Sequence, residues 1–135
     1  MIEHSTRIRI RFGETDKTGV VYHPNYLVYF EIGRTDMLRT VGLVYSELES
    51  KGSALVVTEA GVKYRKSVHY DEEILIKTRA IQVRHASLHF EYRAEKLDGT
   101  LVANGFTWLG CVGEDQKPNR LPPEVRELLA PYTPS

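Results

Sequence analysis

The chain has 135 residues, in which 18 lysines and arginines balance 18 aspartates and glutamates, so its formal net charge is zero. Hydrophobic residues make up 41% and charged residues 27%. These values lie near the average for soluble globular domains and argue against disordered, fibrous and membrane classes. The neutral balance argues against a dedicated nucleic-acid-binding protein, which is usually basic. The length predicts one domain over residues 1–135.

Cysteine content and hydropathy narrow the class further. A single cysteine, Cys111, excludes an internal disulfide and a metal site built from several cysteines. No apolar run approaches the about 18 residues that a membrane-spanning helix needs, and the N-terminal residues lack the apolar region of a signal peptide. We therefore expect a cytoplasmic protein without a membrane span.

Residues 6–13 alternate between apolar and basic side chains, which predicts a half-buried strand. The apolar side carries Ile8, Ile10 and Phe12, and the basic side carries Arg7, Arg9 and Arg11. A solvated strand face explains the three arginines more simply than an anion site does. Residues 13–23 have the glycine-rich, polar composition of a loop.

A long helix is predicted from Pro24 to about Val41, because apolar side chains recur there at helical spacing. Pro24 suits the first turn, and Gly42 suits the position after the last one. The predicted apolar stripe consists of Tyr26, Leu27, Phe30, Gly33, Met37, Leu38 and Val41. A short second helix is predicted over residues 45–51.

The rest of the chain is rich in β-branched and aromatic residues. It predicts strands over residues 54–66, 72–84, 87–97 and 101–113, and a short helix over 124–130. Asp98-Gly99 predicts a tight hairpin. One strand, one long helix and a four-stranded meander predict an α+β fold, in which the helix covers a five-stranded antiparallel sheet. The exposed sheet edge predicts at least a dimer.

The segment from Glu14 to Tyr26 combines an acidic side chain, a glycine turn and a helix start. Unpaired N–H groups at a helix start polarise a carbonyl or hold an oxyanion. A carboxylate beside them, here Asp16, suits a nucleophile or a general base for water. A purely structural interpretation is equally simple: Asp16 caps a turn and His23 precedes a helix. The residues alone do not decide between the catalytic and the structural interpretation.

This segment resembles the active-site motif of hotdog-fold acyl-CoA thioesterases, in the branch of the 4-hydroxybenzoyl-CoA and tol-pal-associated thioesterases. The matching residues are Thr15-Asp16-x-x-Gly19-Val20-Val21-Tyr22-His23-Pro24-Asn25-Tyr26. The resemblance continues through residues 30–38 and 62–71 and covers roughly residues 6–128. It implies a hotdog fold, a long central helix wrapped by the sheet, and hydrolysis of an acyl-CoA to a carboxylic acid and CoA without metal or cofactor.

The resemblance also implies roles for individual residues. Asp16 is the catalytic carboxylate, the backbone N–H of His23 polarises the thioester oxygen, and Gly19 permits the turn between them. The His23 side chain assists orientation or proton transfer. The acyl pocket is expected at Tyr22, Tyr26 and Phe12, where Phe12 replaces a tyrosine of some relatives.

The phosphates of CoA require cations, which we expect among Lys63, Arg65, Lys66 and Arg84, with Ser87 beside them. A solvated charge is the simpler interpretation of each basic residue. A dimer or a dimer of dimers would complete the pocket. Two alternatives stay open: a hotdog hydratase or dehydratase of enoyl thioesters, and a non-catalytic subunit that binds acyl thioesters.

Overall fold

The computed structural model describes residues 3–134, which form a helix-covered antiparallel sheet. The elements are β1 (Glu3–Arg9), α1 (Asn25–Thr40), α2 (Tyr45–Ser50), β2 (Ala54–Tyr64), β3 (Glu73–Val83), β4 (Ser87–Lys96), β5 (Leu101–Val112) and α3 (Pro123–Leu129). Short 3-10 turns cover Phe12–Glu14 and Ala130–Tyr132. The α+β class, with one long helix on a five-stranded antiparallel sheet, is confirmed.

The strand order is β1-β3-β4-β5-β2, and all neighbouring strands are antiparallel. The predicted meander of four strands is therefore wrong for β2, which pairs with β5 and not with β3. Consecutive strands are usually neighbours, but residues 65–72 between β2 and β3 contain no tight-turn dipeptide. This crossover segment, residues 65–72, instead carries the chain from the β2 edge to the far side of the sheet.

The first strand ends earlier than the alternation predicts. Ile10 is buried as predicted. A 3-10 turn begins at Phe12 and leaves the Phe12 ring 76% exposed. The prediction that Phe12 lies on the buried side of the strand is therefore wrong. Arg7 and Arg9 are exposed and form ion pairs with Glu73 on β3. The basic face of the strand is thus a solvated, paired surface.

The middle of helix α1 packs closely against the sheet. Phe30 stacks on Tyr92 of β4 with ring centroids 4.6 Å apart. Gly105 of β5 makes room for this ring, because a Cβ at Gly105 would lie 2.8 Å from the Phe30 side chain and would also meet the Gly61 carbonyl. The buried stripe agrees with the prediction except at Leu27, which is 39% exposed while Tyr29 takes the inward place.

Gly105→Ala is expected to lower the free energy of unfolding by about 1–3 kcal/mol, the usual cost of an overpacked core. Urea denaturation measures this change. Gly13→Ala is the control, because no atom lies within 4 Å of a Cβ at that position. Equal stability of the two variants would contradict the close packing of α1 on β5.

Candidate functional site

The candidate site lies where the loop before α1 meets the start of the helix. The Gly19 N–H donates to the Asp16 carbonyl at 3.0 Å, and the Asp16 N–H donates to the Val20 carbonyl at 2.8 Å. Gly19 has a φ of 83°, a left-handed conformation that glycine adopts without a steric penalty. The tight turn that the sequence predicts at Gly19 is therefore present.

The Asp16 carboxylate is exposed and is held through one oxygen. Its Oδ1 accepts hydrogen bonds from the Thr18 N–H at 2.8 Å and from the Thr18 hydroxyl at 2.6 Å. These bonds, and first of all the one from the hydroxyl, lower the pKa of Asp16 below its ordinary value. No residue from 3 to 134 donates to Oδ2. Asp16 thus caps its turn with one oxygen and keeps the other available, in the ionised state at neutral pH.

The start of α1 offers one free backbone donor. The N–H groups of Val21, Tyr22, Asn25, Tyr26 and Leu27 all donate to backbone carbonyls. Pro24, at the N-cap, has no N–H, and the N–H of His23 finds no acceptor in the described part of the chain. A free donor at the N-terminus of a 16-residue helix lies at the positive end of the helix dipole. Such a group can hold a developing oxyanion.

Tyr64, at the end of β2, fixes the start of the helix. Its hydroxyl donates to the His23 carbonyl at 3.2 Å, and its ring meets the rings of His23 and Tyr26 edge-on at 5.9 and 5.6 Å. The sequence patterns do not mark this residue as part of the site. They could not, because the hydrogen bond joins residues 41 positions apart.

Asn25 and Glu14 lie in the segment that the sequence singles out, but the sequence interpretation gave neither of them a role. The Asn25 side chain donates to the Glu14 carbonyl at 2.9 Å and ties the first turn of α1 to the loop. Below them, burial and the Glu14 carboxylate raise the pKa of Tyr29 above its ordinary value. The Tyr29 hydroxyl is buried without a hydrogen-bond partner among residues 3–134.

The three residues expected to line the acyl pocket do not share one environment. Tyr26 is 4% exposed, and burial raises its pKa to about 12. Tyr22 is exposed and lies against the His23 ring at 5.1 Å. Phe12 lies on the surface and contacts Tyr70 edge-on at 5.7 Å. The structure brings Tyr22 and Tyr26 to the helix start but does not bring Phe12 to them, and a pocket role for all three stays a prediction.

The cations expected to bind CoA fall into two groups. Lys63, Arg65 and Lys66 are exposed at the end of β2, next to Tyr64 and the helix start. Within this group, Arg65 donates through Nε to the Asn104 side-chain oxygen at 3.2 Å. The first group therefore lies beside the candidate site.

The second group lies at the turn between β3 and β4. The Arg84 N–H donates to the Ser87 carbonyl at 2.8 Å, and the Arg84 guanidinium lies 4.3 Å from the centre of the Trp108 ring. Ser87 pairs with Gly110 of β5, whereas Lys63 pairs with Asn104. These β5 partners are roughly 20 Å apart along an extended strand, so the structure separates the two predicted groups within one chain.

Among residues 3–134, no group of three or more His, Cys, Asp or Glu residues is arranged to hold a metal ion. No helix in this part of the chain has the length and apolarity needed to cross a membrane.

Residues 10–129 match the sequence model of the thioesterase-like superfamily. The acyl-CoA thioester hydrolase YbgC of Escherichia coli is 31% identical over 119 residues, which is 87% of this chain and 89% of that protein. YneP of Bacillus subtilis is 42% identical over 71 residues, and this match spans only 53% of this chain and 51% of that protein.

Solved structures show the same likeness. The DHNA-CoA thioesterase of Staphylococcus aureus superimposes with a TM-score of 0.92 at 36% identity, covering 97% of this chain and 91% of that one. A protein of Thermus thermophilus, TT1821, superimposes with a TM-score of 0.91 at 35% identity, covering 96% and 98%. The hotdog fold that the motif implies is confirmed.

Thr18→Val is expected to raise the pKa of Asp16 toward its ordinary value, because it removes the hydroxyl donor to Oδ1 and leaves the backbone donor. An NMR titration of the carboxyl carbon measures this pKa. Thr100→Val is the matched control, since Thr100 makes the same kind of turn with Asp98. It should leave the pKa of Asp16 unchanged. An Asp16 pKa that stays unchanged in Thr18→Val would contradict the described hydrogen bonds.

Proposed function

The chain belongs to the thioesterase-like superfamily, and from this premise we propose that it is an acyl-CoA thioesterase, which hydrolyses an acyl-CoA to a carboxylic acid and CoA. One observation carries the proposal: a free N–H at the start of α1 lies beside the loop that presents Asp16. The activity named for the relatives from Escherichia coli and Staphylococcus aureus supports it.

In this mechanism, the N–H of His23 donates a hydrogen bond to the thioester oxygen as negative charge develops on that oxygen. Asp16 acts through its available oxygen, either as a general base that takes a proton from water or as a nucleophile that forms an anhydride hydrolysed by water in a second step. The imidazole of His23 orients the thioester or passes a proton to the departing thiolate. Either route yields the acid and CoA and uses no cofactor.

For the CoA phosphates, we propose the exposed cations Lys63, Arg65 and Lys66, because they adjoin the helix start. Arg84 and Ser87 stay a prediction, since a CoA molecule bound at the helix start would have to extend along β5 to reach them.

We keep the cytoplasm as the expected location.

We further propose that the edge strand β2 pairs with a second copy of the chain. β2 has a strand neighbour on one side only, β5. Residues 56–60 are all exposed, and Val57 is 50% exposed. An open strand edge with apolar side chains favours pairing with another strand. The homodimer would cover the open side of the helix start, and dimers would associate further into a dimer of dimers.

Asp16→Ala and Asp16→Asn are expected to lower kcat for thiol release by at least about 100-fold, the usual contribution of a positioned acid or base. The substrates are short aliphatic, long-chain and aromatic acyl-CoAs, including 1,4-dihydroxy-2-naphthoyl-CoA. Asp98→Ala removes the similar turn carboxylate between β4 and β5 and serves as the control.

Three results would contradict the assignment of activity or mechanism. Wild-type turnover in Asp16→Ala would exclude the role of Asp16. Loss of enoyl absorbance without thiol release would indicate a hydratase. Binding of acyl-CoA without turnover of any substrate would indicate a non-catalytic binding subunit.

Val57→Lys is expected to shift the chain from dimer toward monomer, because a lysine on an edge strand opposes strand pairing. Analytical ultracentrifugation over a concentration series measures the shift. Leu97→Lys, at an equally exposed residue in the turn between β4 and β5, is the control. Equal dissociation constants of the two variants would exclude the β2 edge as the interface.

A further inference from the structure

A cleft of about 390 Å³ lies between α1 and strands β2 and β5, further along the helix than the candidate site. Its apolar wall is formed by Leu38, Leu55, Val57 and Leu109, and its charged groups are Glu31 and Arg34. Val57 lies on the edge strand β2, so this wall borders the interface proposed above for a second copy of the chain. Small-molecule sites usually have volumes of roughly 300–1,000 Å³ and combine an apolar lining with a few polar groups. The cleft has both properties.

Arg34 is half-buried in this cleft, and no carboxylate among residues 3–134 forms an ion pair with it. Its hydrogen bonding to residues 3–134 is limited to one contact, from Nη1 to the Tyr92 hydroxyl at 3.4 Å. That hydroxyl is itself bonded to the Thr107 hydroxyl at 2.5 Å. Most of the five guanidinium donors are therefore available. A cation that is partly withdrawn from water favours an anionic oxygen as its partner.

Arg34 lies on a helix stripe that begins in the first turn of α1. Leu27, Glu31 and Arg34 are spaced so that they share one face of α1. Arg34 follows Pro24 by about 15 Å along the helix axis, and side chains on a helix lean back toward its N-terminus. Three bonds of an extended chain span about 3.8 Å, so an acyl group of about eight to ten carbons would reach from His23 to the Arg34 guanidinium.

We propose that this cleft binds the distal part of the acyl group and that Arg34 determines specificity for an acyl group ending in a carboxylate. The substrate class is the CoA monothioester of an α,ω-dicarboxylic acid with about eight to ten carbons. The inference rests on the proposed thioesterase activity. Glu31 opposes it by repelling the carboxylate, but Glu31 is exposed whereas Arg34 is half-buried, so the attraction is less screened by water than the repulsion.

The experiment compares kcat/KM for suberoyl-CoA with that for octanoyl-CoA, which has the same chain length and no terminal carboxylate. Wild type is expected to favour suberoyl-CoA. Arg34→Gln should lower this ratio about 10- to 100-fold, the range for hydrogen bonds to charged groups. Arg34→Lys should retain part of the preference, and Glu31→Gln should raise it.

Arg39→Gln is the matched control, because Arg39 is exposed near the end of the same helix and lies outside the cleft. It should leave the ratio unchanged. Thermal melting shows which variants are folded. A ratio unchanged in folded Arg34→Gln would overturn the inference. A second result would also overturn the inference: both Arg34→Gln and Glu31→Gln self-associate more weakly while the ratio stays unchanged. The cleft would then hold a second copy of the chain and not the acyl group.

Failure of the proposed function gives a different result. If wild type releases no thiol from any acyl-CoA, the thioesterase assignment fails. Calorimetric binding then tests Arg34 alone: tighter binding of suberoyl-CoA than of octanoyl-CoA, lost in Arg34→Gln, would support the cleft assignment. Equal binding of the two by wild type would overturn it.

Discussion

Helix α1 reaches the sheet at a place where neither side has room for another carbon atom. On the helix, a Cβ at Gly33 would lie 2.7 Å from the Thr78 hydroxyl oxygen. On the sheet, a Cβ at Gly105 would meet both the Gly61 carbonyl and the Phe30 ring. Phe30 in turn lies flat on Tyr92. Because the middle of the helix is fixed in this way, its first turn extends to the end of β2, where Tyr64 binds the His23 carbonyl. The position of the free N–H thus follows from packing far from it.

The charged group of the site is held by a motif that is not special in itself. Asp16 with Thr18 and Asp98 with Thr100 form similar turns, and the pKa of each aspartate is lowered by its threonine. Only the first turn lies beside a helix start. The local motif holds an ionised carboxylate at the surface, so no charge has to be buried. The neighbouring helix places that carboxylate beside a free backbone N–H.

Local signals predicted most of the fold. The long helix, the short helices and the strands β3 to β5 follow from side-chain periodicity, and Gly19, Gly42, Gly52 and Gly99 adopt the positive φ that turns require. The partner of β2, the exposure of Phe12 and the inward place of Tyr29 depend on contacts between distant segments, which periodicity does not encode. For the same reason Tyr64 was missed. The roles of Asp16 and His23 came from the resemblance, and they remain predictions.

The crossover segment ties the candidate site to distant parts of the chain. Val68 accepts a hydrogen bond from the Val21 N–H, and Asp71 donates through its N–H to the Ile10 carbonyl. Besides its local hydrogen bonds, the loop that carries Asp16 therefore has long-range supports. These require the crossover segment to be held between β2 at one edge of the sheet and β3 near the other. Long-range strand pairing is the slow part of folding. We therefore expect the complete site to form late in folding, after the local helices and hairpins.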